Sequence, residues 1–231
     1  MKTFFLIFSI HFLLVLTGLN AQEPAALMQQ IRNRLEKIND YEANAQLKTE
    51  ISFLKVPDAR VKIYYKKPNH IRILNENGIS LVPKETMSIS LYSLVNSQYQ
   101  ALDGGTDIFQ GTPVRIVKLL PTDENGELVL ATLYIDAKRL LILKAKTTTR
   151  ESGTNEVELS YGRFLSLGLP DQIIFSFNTQ DFKLPKGVTF DYDEGGVKKP
   201  VPEAGKNQRG KIQITYWNYS LNKGLSDSVF K

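Results

Sequence analysis

The stretch from Arg60 to Ile73, RVKIYYKKPNHIRI, constrains the fold more than any other part of the chain. Apolar Val61, Ile63 and Tyr65 alternate with polar positions, which is the period-two pattern of a strand with one buried face. The basic segment Lys66-Lys67-Pro68-Asn69 interrupts this pattern with a turn signal, and a second alternating segment follows it. The sequence therefore predicts a pair of strands joined by a short turn.

The same strand pattern recurs through most of the chain. The segment 156–161 alternates in the same way, and the runs at 114–120, 128–135 and 140–146 are apolar on both faces, as in central strands. Turn signals rich in Gly, Asn and Asp separate these segments, and no helical pattern alternates with them. About ten strands with short turns predict a mainly β protein of the α+β class, with one antiparallel sheet that is strongly curved or partly closed.

Two segments have a helical pattern. From Pro24 to Asn39, apolar residues recur every three or four positions and predict an amphipathic helix. The segment 83–97 fits either a short helix or a strand, and we favour the helix. The polar stretch 191–209 is rich in Gly and Pro and predicts a long loop, a kind of segment that often carries function. The apolar stripe of the first helix consists of Leu27, Ile31, Leu35 and Ile38.

The first residues have the composition of a secretory signal peptide. Lys2 precedes an apolar run from Phe4 to Leu16, and small residues around Ala21 follow it. An uncleaved anchor is disfavoured because the run is shorter than the roughly 20 residues of a membrane span. We predict that residues 1–21 are removed and that residues 22–231 form one domain. The chain has no Cys, so a disulfide and a Cys-linked lipid anchor are excluded, and we expect an exported, soluble, unanchored protein.

Residues that carry catalysis are scarce in this sequence. His70 is the single histidine of the predicted mature chain, and it lies in a strand-like segment. No nucleophile elbow, zinc-protease helix or phosphate-binding Gly loop is present. The acidic group at 123–127 has the composition of a hairpin turn, and the one at 191–196 lacks most ligands of a calcium loop. We therefore expect no enzyme activity, no metal and no cofactor.

The charge of the chain also argues against nucleic acid as a partner. The net charge of +5 is spread along the sequence, without an Arg-rich helix or an aromatic RNA-binding motif. The sequence offers instead 12 Phe, 10 Tyr and several strands that are apolar on both faces. In a curved sheet such a face can line a cavity suited to acyl chains, although composition alone favours a filled core.

The order of these elements resembles the LolA family of outer-membrane lipoprotein carriers. The family's Arg-Leu-x-Lys helix element corresponds to Arg34-Leu35-Glu36-Lys37, and its aromatic-x-Ala turn corresponds to Tyr41-Glu42-Ala43. The family's strand that ends in basic-Arg-Pro-Asn corresponds to Lys66-Lys67-Pro68-Asn69. A Phe-x-Phe motif, a Pro-x-Gly-Val close and an additional C-terminal strand have counterparts at 175–177, 184–188 and 210–230.

The resemblance implies a half-open antiparallel β-barrel whose concave face is covered by the N-terminal helix and a short internal helix. It also implies a periplasmic, non-enzymatic carrier or sensor that binds lipoprotein acyl chains and shuttles them toward the outer membrane. The implied partners are these acyl chains, an inner-membrane transporter and an outer-membrane receptor, with transient membrane contact. Because LolB and RseB-type sensors share the fold, the alternative is an interaction or scaffold protein that docks a protein partner.

The resemblance also suggests which residues form the cavity and its lid. We expect the helix stripe to pack over the open mouth of the sheet. The family's Arg before Pro, which helps to hold the lid closed, is Lys67 here, and lysine keeps the charge but lacks the planar fork of arginine. The expected cavity and lid residues are Leu27, Ile31, Leu35, Ile38, Val61, Ile63, Tyr65, Lys67 and Pro68.

Overall fold

An eleven-stranded antiparallel sheet forms most of the molecule. A computed structural model of the chain describes residues 19–51, 54–55, 57–75, 91–123, 125–150, 153–178 and 209–230. Its helices are α1 (Leu19–Leu35) and α2 (Leu91–Asn96), with short 3₁₀ helices at Leu165–Leu167 and Asp227–Phe230. The strands are β1 (Asp40–Ile51), β2 (Leu54–Lys55), β3 (Ala59–Lys66), β4 (His70–Asn75), β5 (Tyr99–Phe109), β6 (Thr112–Pro121), β7 (Leu128–Asp136), β8 (Leu141–Thr149), β9 (Gly153–Ser160), β10 (Gln172–Asn178) and β11 (Arg209–Leu221).

The strand order makes the sheet a half-open barrel. The order is β4-β3-β1-β11-β10-β9-β8-β7-β6-β5, and β2 pairs with the end of β1. Strands β4 and β5 are the two ends of this order, so the described sheet curves without closing. The predicted central strands β6, β7 and β8 all lie inside the order, and the predicted curved antiparallel fold is confirmed.

The C-terminal strand lies in the middle of the sheet, between β1 and β10. Its pairing with β1 shifts register between Asn44 and Ala45, where Trp217 is the additional residue on β11. The side chain of Asn218 accepts a hydrogen bond from the backbone N–H of Asn44 at this bulge. After β11 the chain crosses to the β4 edge, where the Arg72 guanidinium donates to the carbonyl oxygen of Val229 at 2.6 Å.

Side-chain alternation puts one face of β1 and of β3 into the core, as the sequence pattern predicts. On β1, the alternate residues Ala43, Ala45 and Leu47 are buried, and Val61 and Ile63 are buried on the neighbouring β3. A second core lies beneath α1, where the buried side chains come from the helices and from strands β6 to β9. Its fully buried members include Met28, Ile31, Val117, Leu119, Leu133 and Ile135.

Helix α1 differs from its predicted bounds at both ends. The sequence predicts a helix from Pro24 to Asn39, because proline favours the first helical turn. The helix instead begins at Leu19, with Pro24 inside it, and ends at Leu35. A tight turn follows, in which the N–H of Ile38 donates to the carbonyl of Leu35 at 3.1 Å. This turn keeps Ile38 buried even though it lies beyond the helix.

Other predicted segments lie partly outside the described residues. Of the segment 83–97, the structure describes α2 and Ser97 after it, and the predicted short helix is present there. Of the predicted loop 191–209, Arg209 is described, and it is the first residue of β11. Among the helices of the described ranges, none combines the length and the apolar character that crossing a membrane requires.

Candidate functional site

An apolar cavity of about 220 Å³ lies between the sheet and the end of α1. Strands β1, β3, β4, β9, β10 and β11 form its wall, together with Tyr92 of α2 and residues 168–170. The described wall contains aliphatic residues, one glycine, one proline, one phenylalanine and six tyrosines, and none of these residues is charged. A wall of this kind favours a hydrocarbon over a charged ligand.

Four of the expected site residues line this cavity. Ile63 and Tyr65 project from β3, whose alternation places both side chains on the inner face. Leu35 closes the last turn of α1, and Ile38 follows in the tight turn after it. The C-terminal half of the helix stripe therefore covers the cavity.

The other expected apolar residues lie in filled core. Leu27 and Ile31 pack with Leu94, Val95 and the inner face of the β6–β8 region, away from the cavity wall. Val61 is buried within the cluster formed by β1, β3 and β11. The helix stripe thus divides into an N-terminal half that fills core and a C-terminal half that borders open space.

Lys67 contacts the end of α1, whereas Pro68 is exposed in the turn after β3. The Lys67 ammonium donates to the carbonyl oxygen of Glu36 and, at 3.3 Å, to the side-chain oxygen of Asn39. Its Nζ atom also lies 5.6 Å from the ring centre of Tyr92 on α2, which is a cation–π distance. Lys67 therefore joins the β3–β4 turn to both helices without lining the cavity.

Two arginines of α1 fasten the helix to the rest of the molecule. The Arg32 guanidinium donates to the carbonyl oxygen of Val95 at the end of α2, at 2.9 Å. The Arg34 guanidinium donates to the carbonyl oxygens of Arg139 at 2.5 Å and Leu165 at 2.7 Å. Sequence reasoning missed both contacts, because Arg32 lies off the apolar stripe and the carbonyl partners are distant in the chain.

The segment 162–171 forms the rim of the cavity next to Arg34. Its conformation is held by Asp171, whose carboxylate accepts hydrogen bonds from the N–H groups of Gly162 and Arg163 and from the Arg163 guanidinium. Burial alone would raise the pKa of Asp171, but the hydrogen bonds from Arg163 and from the backbone outweigh it and lower the pKa. Gly168, with φ of 73°, closes the 3₁₀ turn in this rim.

The tyrosines of the wall form a connected aromatic cluster. Tyr41 stacks on Tyr65 with ring centres 5.1 Å apart, and Tyr65 meets the edge of Tyr92 at 6.0 Å. Tyr216 stacks on Tyr219 at 4.9 Å, and Tyr41 contacts Tyr219 edge-on at 5.3 Å. Burial raises the pKa of Tyr41 to about 12, despite a smaller opposing effect of its hydrogen bond with Tyr216. The cluster is therefore uncharged at neutral pH.

The described residues contain no cluster of three or more His, Cys, Asp or Glu that could hold a metal ion. His70 packs against the ring of Phe230 at the β4 edge, with the ring centres 5.7 Å apart. The acidic group at 191–196 lies outside the described residues.

Comparison with known proteins identifies the fold. No protein-family model and no curated protein sequence matches the chain. Among the solved structures that match most of the chain are three with a TM-score above 0.5. A domain of Vibrio parahaemolyticus named for outer-membrane lipoprotein sorting has a TM-score of 0.60 at 11% identity, covering 91% of this chain and 97% of that one. A DUF1329 family protein from Desulfovibrio piger has a TM-score of 0.57 at 13% identity, covering 92% and 97%.

The third structure carries the family name that the sequence motifs suggest. It is a LolA superfamily protein from Nitrosomonas europaea, with a TM-score of 0.54 at 10% identity, covering 88% of this chain and 97% of that one. At identities this low, the match establishes a shared architecture. The predicted LolA-like fold is confirmed.

Proposed function

We propose that this chain, which has the LolA-like fold, is a non-enzymatic periplasmic carrier or sensor of lipoprotein acyl chains. In this proposal residues 1–21 are a signal peptide that is removed on export, and residues 22–231 bind the ligand. The observation that carries the proposal is the cavity of about 220 Å³, whose described wall has no charged side chain. A cavity with such walls is suited to hydrocarbon.

The size of the cavity sets how much hydrocarbon it can hold. An apolar cavity of about 150 Å³ binds one benzene molecule, so by simple scaling this one holds roughly nine carbon atoms. Burial of that many methylenes gives about 7 kcal/mol of transfer free energy before the costs of association. The cavity therefore fits a segment of one acyl chain, and a ligand with several chains requires α1 and α2 to move away from the sheet.

Release toward an outer-membrane receptor requires the cover to open. Arg34 and Lys67 hold the cover closed through contacts with backbone carbonyls, and Arg32 joins α1 to α2 within the cover. These contacts are polar and lie outside the apolar wall, so the groups that make them can bind water when the cover opens. We propose that an inner-membrane transporter loads the cavity and that contact with the acceptor opens the cover.

Displacement of a hydrophobic fluorescent dye, together with mass spectrometry of co-purified lipid, tests this function. Ile173 lines the cavity and its neighbour Ile174 does not, because the two residues point to opposite faces of β10. We expect Ile173→Trp to abolish binding of dye and lipid, and the matched Ile174→Trp variant to retain it. Equal binding by both variants, or no binding by the wild type, would rule out the proposed carrier. Capture of a defined protein partner by Ile173→Trp would instead favour the scaffold alternative.

A further inference from the structure

Tyr65 has a buried hydroxyl group that lacks a hydrogen-bond partner among the described residues. The residue is 6% exposed and lines the cavity. Leaving a buried hydroxyl unpaired costs about 1–3 kcal/mol, and folded proteins pair nearly all such groups. The hydroxyl oxygen is covered by its neighbours although other atoms of Tyr65 line the cavity, so it points to a partner that the ligand supplies once these neighbours shift.

Other tyrosines of the same wall have partners within the protein. The hydroxyl of Tyr161 donates to the carbonyl oxygen of Ile142 at 3.0 Å. The hydroxyl of Tyr219 donates to the carbonyl oxygen of Pro170 at 2.9 Å. Their rings pack in the cavity wall, and their hydroxyl groups already have hydrogen-bond partners within the protein. Tyr65 therefore differs from Tyr161 and Tyr219 in that its hydroxyl group has no partner among the described residues.

Tyr65 lies where the covering helices meet the sheet. It packs in one cluster with Ile38, which follows α1, and with Leu169 of the rim. The edge of the Tyr92 ring on α2 faces it. Burial raises the pKa of Tyr65 above its usual range, so the phenol keeps its proton and remains a donor. A ligand that moves Tyr92 aside reaches this donor from the cavity.

We propose that Tyr65 recognises the carbonyl group of the ligand, so that the cavity selects a neutral acyl ester or amide. The carbonyl oxygen accepts a hydrogen bond from the Tyr65 hydroxyl, and the hydrocarbon lies along the aliphatic wall. A bare alkane leaves the hydroxyl unpaired. A carboxylate has to bury its charge in a wall whose described residues supply no cation. This inference rests on the proposed function and narrows its ligand class.

The test compares three probes of similar size, which are methyl octanoate, undecane and octanoate, by dye displacement at pH 7. The ester and the alkane have the same number of non-hydrogen atoms. We expect the ratio of ester to alkane affinity to fall by about 3–10-fold in Tyr65→Phe, as one net hydrogen bond predicts. Octanoate should bind at least roughly 10-fold more weakly than the ester in the wild type.

Tyr161→Phe is the matched control, since it removes a hydroxyl from the same wall that already has a protein partner. It should lower the thermal stability and leave the ratio unchanged, whereas Tyr65→Phe should not lower the stability. If both probes bind and Tyr65→Phe leaves the ratio unchanged, the inference is overturned while the carrier function stands. If neither the ester nor the alkane displaces the dye from the wild type, both the inference about Tyr65 and the proposed carrier function are refuted.

Discussion

Replacing Arg34 by methionine should loosen the cover of the cavity. Methionine preserves most of the aliphatic volume and removes the two hydrogen bonds to the carbonyl oxygens of Arg139 and Leu165. A hydrogen bond to a charged group contributes about 1.5–3 kcal/mol. Arg34 is only half-buried, and the freed carbonyls can regain water, so we take about 2 kcal/mol for the pair.

Loss of these hydrogen bonds should increase the fraction of molecules in which the cover is open. If the bonds exist only when α1 lies on the sheet, a loss of about 2 kcal/mol raises the open fraction roughly 30-fold. Stopped-flow mixing with a hydrophobic dye measures this, because the dye enters only the open form and its association rate follows the open fraction. The expected result is an association rate about 30-fold higher than that of the wild type. The melting temperature should fall by less than the roughly 4–8 °C that a loss of about 2 kcal/mol from the whole fold would cause.

Arg150→Met is the matched control for this experiment. The Arg150 guanidinium also donates to a backbone carbonyl, that of Gly126 at 3.1 Å. It lies at the opposite end of the β7–β8 pair from Arg139. The control should leave the dye kinetics unchanged. An Arg34→Met variant with wild-type association rate and a melting temperature lower by about 4–8 °C would show that Arg34 stabilises the whole fold and does not govern the cover.

Three further variants test the same region. Lys67→Met should raise the dye association rate by only about 2–5-fold, because Lys67 is half-exposed and its contacts contribute under roughly 1 kcal/mol. A larger effect than that of Arg34→Met would show that Lys67, and not Arg34, contributes more to holding the cover closed. Gly168→Ala should lower the stability and raise the rate of dye entry, since a Cβ atom there would lie 2.7 Å from the Arg34 Nε atom. Its control is Gly105→Ala, which has a similar positive φ but no atom within 4 Å of the added Cβ, and which should affect stability alone. The lowered pKa of Asp171 stabilises the fold above the pKa of the unfolded chain, and this contribution is lost as the pH falls through the lower native value. The melting temperature of Asp171→Asn should therefore be lower than that of the wild type at pH 7. The difference should begin to shrink near the unfolded-state pKa of about 4 and shrink further at lower pH, and a difference independent of pH would contradict this account.

Much of the fold can be predicted from local sequence, because strand alternation is a short-range property. The pattern at 60–73 places Val61, Ile63 and Tyr65 on one inner face, and the structure confirms the β3–β4 pair. The turn signals at 125–126 and 136–138 lie at the ends of neighbouring strands as predicted, whereas Asp103-Gly104-Gly105 is a register shift within β5 and not a turn between strands. What the pattern lacks is any distinction between apolar residues that fill core and those that border a cavity. Val61 and Ile63 have the same alternation, yet of the two only Ile63 lines the cavity.

The polar contacts of the candidate site depend on pairings that sequence cannot reveal. Arg34 reaches carbonyl oxygens that lie 105 and 131 positions away in the chain. Backbone carbonyls carry no residue-type signal, so nothing in the sequence marks them as partners. The unpaired hydroxyl of Tyr65 is likewise visible only once the surrounding side chains have been placed. The family motif did direct attention to Lys67, which does contact the end of α1.

The position of β11 determines when the two parts of the sheet can be joined during folding. Among the described strands, β1 to β4 connect to the β5–β10 meander only through β11, and Asn39 is hydrogen-bonded to Asn222 across 183 positions. Contacts between such distant segments form late and slow folding. A chain still missing its C-terminal strand therefore consists of two unjoined half-sheets with exposed apolar faces. A nascent chain would be in this state until β11 has been synthesised, and its unpaired strands would be open to binding by chaperones.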